Sequence, residues 1–198
     1  HLFWNGRSNT PADQAKDAFH GELNMMPSTA IAYLQTDSTY TRLFRKAFGR
    51  PGTITEDKIY KAVQQFVLTL VSSESKFDSV QRSQASFTAS EQRGFQIFLS
   101  ETGDCFHCHS DGSSNTFTDK LFRNNGLDSV PVGGSFTDNG RGDITGNADD
   151  NGHFRDMTLR NIALTGPYMH DGRFATLADV VHFYSEGEKM SPTVDAFM

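Results

Sequence analysis

From Ile59 to Val71 the apolar residues Ile59, Ala62, Val63, Phe66, Val67, Leu70 and Val71 recur at i, i+3, i+4 and i+7. That is the period of an amphipathic helix, with Thr55 placed as its N-cap, and such a stripe predicts a core-facing surface. Thr88-Ala-Ser-Glu91 has capping-box spacing and is followed by Phe95, Phe98 and Leu99 on one helical face. Shorter helices are predicted over residues 29–34 and 39–48, the second stopped by Gly49 with Pro51 beyond. A last helix opens near Thr176, with Asp179 completing its cap, and reaches Tyr184. Residues 1–27 read as irregular, marked by Asn5-Gly6 and Pro27. Residues 111–152 are rich in Gly, Asn, Asp and Ser, which predicts long loops, and the acidic tract 138–150 lacks EF-hand spacing. The polar stretch 72–86 reads as a boundary, giving an all-α chain in two domains, 1–84 and 85–198.

Composition narrows the class. The chain has 198 residues, 36% apolar and 21% charged, and a mean hydropathy of −0.49, all typical of a soluble globular protein. No apolar run approaches the roughly 18 residues that span a bilayer. A formal net charge of −6 argues against nucleic acid or anionic lipid as partner.

The chemistry is concentrated in Cys105-Phe106-His107-Cys108-His109, a C-x-x-C-H motif built from the chain's two cysteines. Two thiols three positions apart can each form a thioether to a haem vinyl group, and the histidine that follows is held under the iron as proximal ligand. A lone disulfide, a redox C-x-x-C or half a zinc site would not need that histidine. Seventeen phenylalanines supply aromatic surface for a haem pocket, or equally for an ordinary core. Covalent attachment of this kind occurs outside the bacterial cytoplasm, so the periplasm is the expected compartment. The opposite face of the iron is open to Met157, Met169, His170, His182, Tyr184 or Met190, and spacing does not choose among them. A thioether ligand raises the reduction potential, whereas a phenolate favours Fe(III).

The run from Thr158 to Phe174, Thr158-Leu-Arg160-Asn161-Ile-Ala-Leu-Thr165-Gly-Pro167-Tyr168-Met169-His170-Asp171-Gly172-Arg173-Phe174, resembles the bacterial di-haem cytochrome c peroxidase and MauG family. Leu2-Phe3-Trp4-Asn5-Gly6-Arg7 resembles the same family's F-W-D-G-R segment, with Asn5 for Asp. The resemblance implies two c-type haem domains about a pseudo-twofold, the N-terminal haem meeting peroxide and the C-terminal haem relaying electrons. Residues 105–109 match the second motif. The first is expected upstream of Trp4, and a chain seen without its two ends is expected from the missing leader and closing helix.

Position by position, the resemblance gives Trp4 the role of bridge between the haems and Gln14 a place in the peroxide pocket. The family's glutamate falls at Asn24 and its proline at Ala18, so Glu22, two residues from Asn24, is the candidate acid–base group. Heterolysis of a peroxide O–O bond needs such a group. The distal iron ligand aligns with Tyr184, as in MauG-type proteins, with Met169 the alternative. His170 falls in the inter-haem region. Thr165 and Pro167 match positions whose carbonyls bind a structural Ca²⁺. The implied activity is a periplasmic peroxidase-type oxidoreductase using hydrogen peroxide, with a small electron-donor protein or an oxidised protein substrate as partner, and with room for a homodimer. A single-haem electron carrier without peroxidase activity is the alternative.

Overall fold

The computed structural model describes residues 1–110 and 115–198. Helix starts are set locally. Thr10, Asp37, Thr55, Ser75, Thr88 and Thr176 each accept a backbone N–H from the first turn that follows them. In four of these the first-turn carboxylate returns the bond, so Thr10/Asp13, Ser75/Asp78, Thr88/Glu91 and Thr176/Asp179 are capping boxes. The helices are α1 (Pro11–Asp17), α2 (Pro27–Thr36), α3 (Ser38–Phe48), α4 (Glu56–Leu68), α5 (Lys76–Gln81), α6 (Ala89–Phe98), α7 (Gly142–Thr145) and α8 (Leu177–His182). Single π turns continue α1 and α8, over Ala18–Glu22 and Phe183–Gly187.

The fold is mostly helical, as the hydrophobic pattern predicts, with two refinements. Residues 1–27 are not wholly irregular: Pro11, fixed in φ and lacking an N–H, occupies the first turn of α1 behind the Thr10 cap. A two-residue antiparallel ladder also forms, pairing β1 (Phe122–Arg123) with β2 (Phe154–Arg155).

The chain divides into two units, one of His1–Phe3 with Arg7–Val71, the other of Trp4–Gly6 with Ser72–Met198. In the first, α1 lies along α4 around Ala15, Phe44, Ile54, Ile59 and Tyr60. Phe19 meets Tyr60 edge to face at 5.6 Å, and Tyr60 donates to Glu56 at 2.8 Å. The predicted stripe serves this core only in its first half. Ile59 and Tyr60 are buried, but Phe66, Leu70 and Val71 stay 64%, 64% and 74% exposed, the last two lying beyond the end of the helix at Leu68.

In the second unit α5 and α6 carry a chain of rings, Phe87–Phe95 (5.6 Å), Phe95–Phe77 (5.9 Å) and Phe77–Phe117 (4.9 Å). It leads from the capped helices to the loop behind the cysteine motif. Among the described residues no helix is long and apolar enough to cross a membrane.

Candidate haem site

Cys105–His107 form one 3-10 turn, entered through Asp104 at φ 52°, and the His109 N–H bonds back to the Cys105 carbonyl at 2.9 Å. Both cysteines are unpaired thiols. Burial pushes both thiols up, Cys108 to about 11, so neither is a resting thiolate.

His109 is fixed by its Nδ1, which lies 2.9 Å from the Phe117 carbonyl. A carbonyl can only accept, so Nδ1 carries the proton and Nε2 keeps its lone pair. Burial lowers the His109 pKa, which keeps the ring neutral. Neutral, tautomer-locked imidazole with Nε2 outward is the form that ligates iron.

The candidate distal residue Tyr184 follows α8. Its N-cap Thr176 and the π turn behind it place Tyr184, whose hydroxyl accepts from Asn125 Nδ2 at 3.0 Å. The same amide lies 3.6 Å from Met169 Sδ. The two candidate distal donors thus converge on one side chain. Tyr184 is 42% exposed, and surrounding protein pushes its phenol up to about 12, so the hydroxyl stays protonated when no metal is bound. Met169 sits at φ 71°, a left-handed conformation uncommon outside glycine.

Two further features fit a haem. Arg155 on β2 has a buried Nε with no acceptor among the described residues, and burial depresses its pKa. A buried, unpaired guanidinium N–H calls for an acceptor, and haem brings two propionates. Next to Cys108, Arg123 contacts Asp119 at 2.6 Å, Asp156 and, at 3.4 Å, Asp195. One cation among three carboxylates leaves a surplus of negative charge. Asp156, raised chiefly by burial against the pull of Arg123, is where a proton is retained.

The comparisons agree with this chemistry. Residues 1–86 match the family model described as di-haem cytochrome c peroxidase. The methylamine utilization protein MauG of Methylophilus methylotrophus is 32% identical over 205 residues, covering 99% of this chain and 58% of that protein. The cytochrome c551 peroxidase of Nitrosomonas europaea is 34% identical over 185 residues, 90% of this chain and 52% of that one. A solved MauG-like protein associated with microbial copper homeostasis superposes with a TM-score of 0.82 at 31% identity, covering 98% of this chain and 62% of that one. The chain belongs to the di-haem cytochrome c peroxidase and MauG family. It spans about half to three-fifths of the length of these relatives.

The remaining residues singled out by likeness to this family are placed as follows. Trp4 is 38% exposed, and its carbonyl accepts from Arg155 N at 2.8 Å, which ties the indole-bearing segment to β2 beside the enclosed guanidinium. Gln14 lies half-buried in α1. Glu22 is exposed and 3.5 Å from Arg7, which also lies 3.9 Å from Asp17. Thr165 and Pro167 flank Gly166 on an exposed loop. His170 stacks flat on Phe154, centroids 3.6 Å apart, and burial lowers its pKa. The motif's inner histidine, His107, faces Asp104 (3.1 Å) and Glu101 (3.6 Å), so its imidazole is turned to surface carboxylates. Asn125 and Arg155 were missed from sequence. Asn125 acts through contacts across tens of residues and Arg155 through an unpaired buried N–H, and neither carries a local motif.

Proposed function

We propose that this chain forms the c-haem, electron-relaying part of a periplasmic di-haem oxidoreductase of the peroxidase/MauG type, using hydrogen peroxide. The observation that carries the reading is His109, neutral and held through Nδ1 by the Phe117 carbonyl, one residue beyond two unpaired thiols. Bound haem supplies one-electron redox chemistry. The protein's own part is to hold and orient. Cys105 and Cys108 would fix the ring covalently, His109 Nε2 would offer the proximal donor, and Arg155 would neutralise a propionate. Tyr184 would take the distal side, with Met169 beside the same amide as its competitor. A second c-type haem bound upstream, with Gln14 and Glu22 beside it, would complete the enzyme. Trp4 would be the bridge, its backbone fixed by β2.

A small redox protein as donor, or a protein substrate oxidised in turn, belongs to the same proposal, which the likeness to a cytochrome c551 peroxidase and to MauG supports. Ca²⁺ held through the carbonyls of Thr165 and Pro167 belongs to the same proposal, and chelation should then lower activity reversibly.

The test is rapid mixing of the reduced full-length holoprotein with hydrogen peroxide. Peroxide-dependent oxidation of both haems, at a rate saturating with peroxide, supports the reading. A single covalent haem that peroxide does not oxidise faster than it oxidises an ordinary cytochrome c would overturn it in favour of an electron carrier.

A further inference from the structure

The carbonyl that holds His109 is itself held. Asn115, Thr116 and Phe117 present three successive carbonyls, each with its own partner. Arg160 Nε donates to the Asn115 carbonyl at 2.7 Å, Thr158 Oγ1 donates to the Thr116 carbonyl at 2.5 Å, and His109 Nδ1 donates to the Phe117 carbonyl at 2.9 Å. Asn115 and Phe117 sit at φ 48° and 52°. Left-handed backbone at two non-glycine positions persists only where its surroundings over-determine it. Arg160 does most of this. Its guanidinium lies over the Phe117 ring at 5.4 Å and pairs with Asp78 at 2.6 Å, both side chains nearly buried. Asp78 is in turn the capping-box carboxylate of α5, bonded by Ser75 N and Oγ.

We propose that Thr158 and Arg160 are positioning residues for the proximal histidine. By fixing the loop that offers the Phe117 carbonyl, they set the strength of the Nδ1–H···O bond and through it the reduction potential of the haem on His109. The inference rests on the reading of His109 as iron ligand. A firm bond gives the imidazole partial anionic character, which stabilises the oxidised iron, and a slack bond raises the potential.

Two substitutions probe the anchors in the full-length holoprotein; the Thr158 hydroxyl also accepts from Arg160 N at 3.1 Å, so its removal loosens both. Arg160→Lys keeps a cation opposite Asp78 but cannot reproduce the planar Nε–H donor. Thr158→Val removes one hydroxyl at an exposed position and keeps the shape. Each should raise the potential, changing the reduced-to-oxidised ratio at fixed ambient potential by threefold to tenfold, the latter equal to 59 mV for one electron. Each should also speed solvent exchange of the His109 Nδ1 proton, seen by proton NMR of the oxidised protein. Should Arg160→Lys fail to mature, Thr158→Val decides alone. Unmoved potential and exchange in a folded, haem-loaded Thr158→Val protein would overturn the proposal. A wild-type spectrum without c-type features would instead bring down the functional reading itself.

Discussion

The two faces of the candidate haem site are built on opposite principles. On the side of His109 the imidazole has a committed partner in the Phe117 carbonyl, and the loop that offers it is anchored again, through Asn115, Arg160 and Asp78 to the cap of α5. Among the candidate distal donors one amide, Asn125 Nδ2, reaches both Tyr184 and Met169, and the tyrosine stays accessible. The difference teaches where the protein sets a value and where it leaves a choice. An over-determined side fixes the ligand's tautomer and angle. A shared donor between two candidate ligands lets small energies select the one that binds.

Removing His109 should produce the largest effect. His109→Ala is expected to yield a covalently attached haem whose spectrum is no longer that of a low-spin c-type cytochrome, whereas Tyr184→Phe should keep c-type reduced bands and alter only the oxidised spectrum. Equal spectral damage from both variants would erase the proposed asymmetry. Next in size is Asp78→Ala, which strands Arg160 in an enclosed site. Breaking one side of such a pair costs about 3–5 kcal/mol. Thermal or urea unfolding of the holoprotein measures it, and a loss under about 1 kcal/mol would mean that the pair is effectively solvated.

The same pair gives a pH dependence. Arg160, foremost, and the Ser75 hydroxyl hold the Asp78 carboxyl well below its ordinary 3.8. A depressed carboxylate contributes stability that is fully present above the unfolded value and lost as pH falls through the folded one. Unfolding free energy should therefore decline as the solution is acidified below about pH 4, and Asp78→Asn, less stable at neutral pH, should decline less steeply. Parallel slopes for the two proteins between pH 5 and 3 would exclude Asp78 as the source.

How much of this was legible in the chain follows the range of each interaction. The caps at Thr55, Thr88 and Thr176 were readable because cap and partner lie within one turn. Helix α1 carried the same signal in Thr10-Pro11-Ala12-Asp13, overshadowed by the turn residues around it. Cys105, Cys108 and His109 were readable because covalent haem chemistry demands adjacent residues. The Phe117 carbonyl was not, since a backbone acceptor has no residue signature, and Arg160, which holds the neighbouring Asn115 carbonyl, does so from 45 residues away. The stripe on α4 misled in its second half for a related reason: periodicity shows that a face is apolar, and says nothing of what covers it.

The smallest effect tests the distal side. Thr176 caps α8 by accepting from Asp179 N at 3.2 Å while Asp179 accepts from Thr176 N at 3.1 Å, and the π turn carrying Tyr184 follows directly. Thr176→Ala removes the hydroxyl and should cost about 1 kcal/mol. If the distal ligand is a choice between near-equal donors, a loosening of that size, worth about fivefold in an equilibrium at RT near 0.59 kcal/mol, is enough to populate a second oxidised spectrum at low temperature. The reduction potential should then respond to Thr176→Ala while the His109 Nδ1 proton stays as protected as in the wild type. A single unaltered oxidised spectrum would mean that Tyr184 is held by more than its helix and one amide, and the two faces would then be alike in construction.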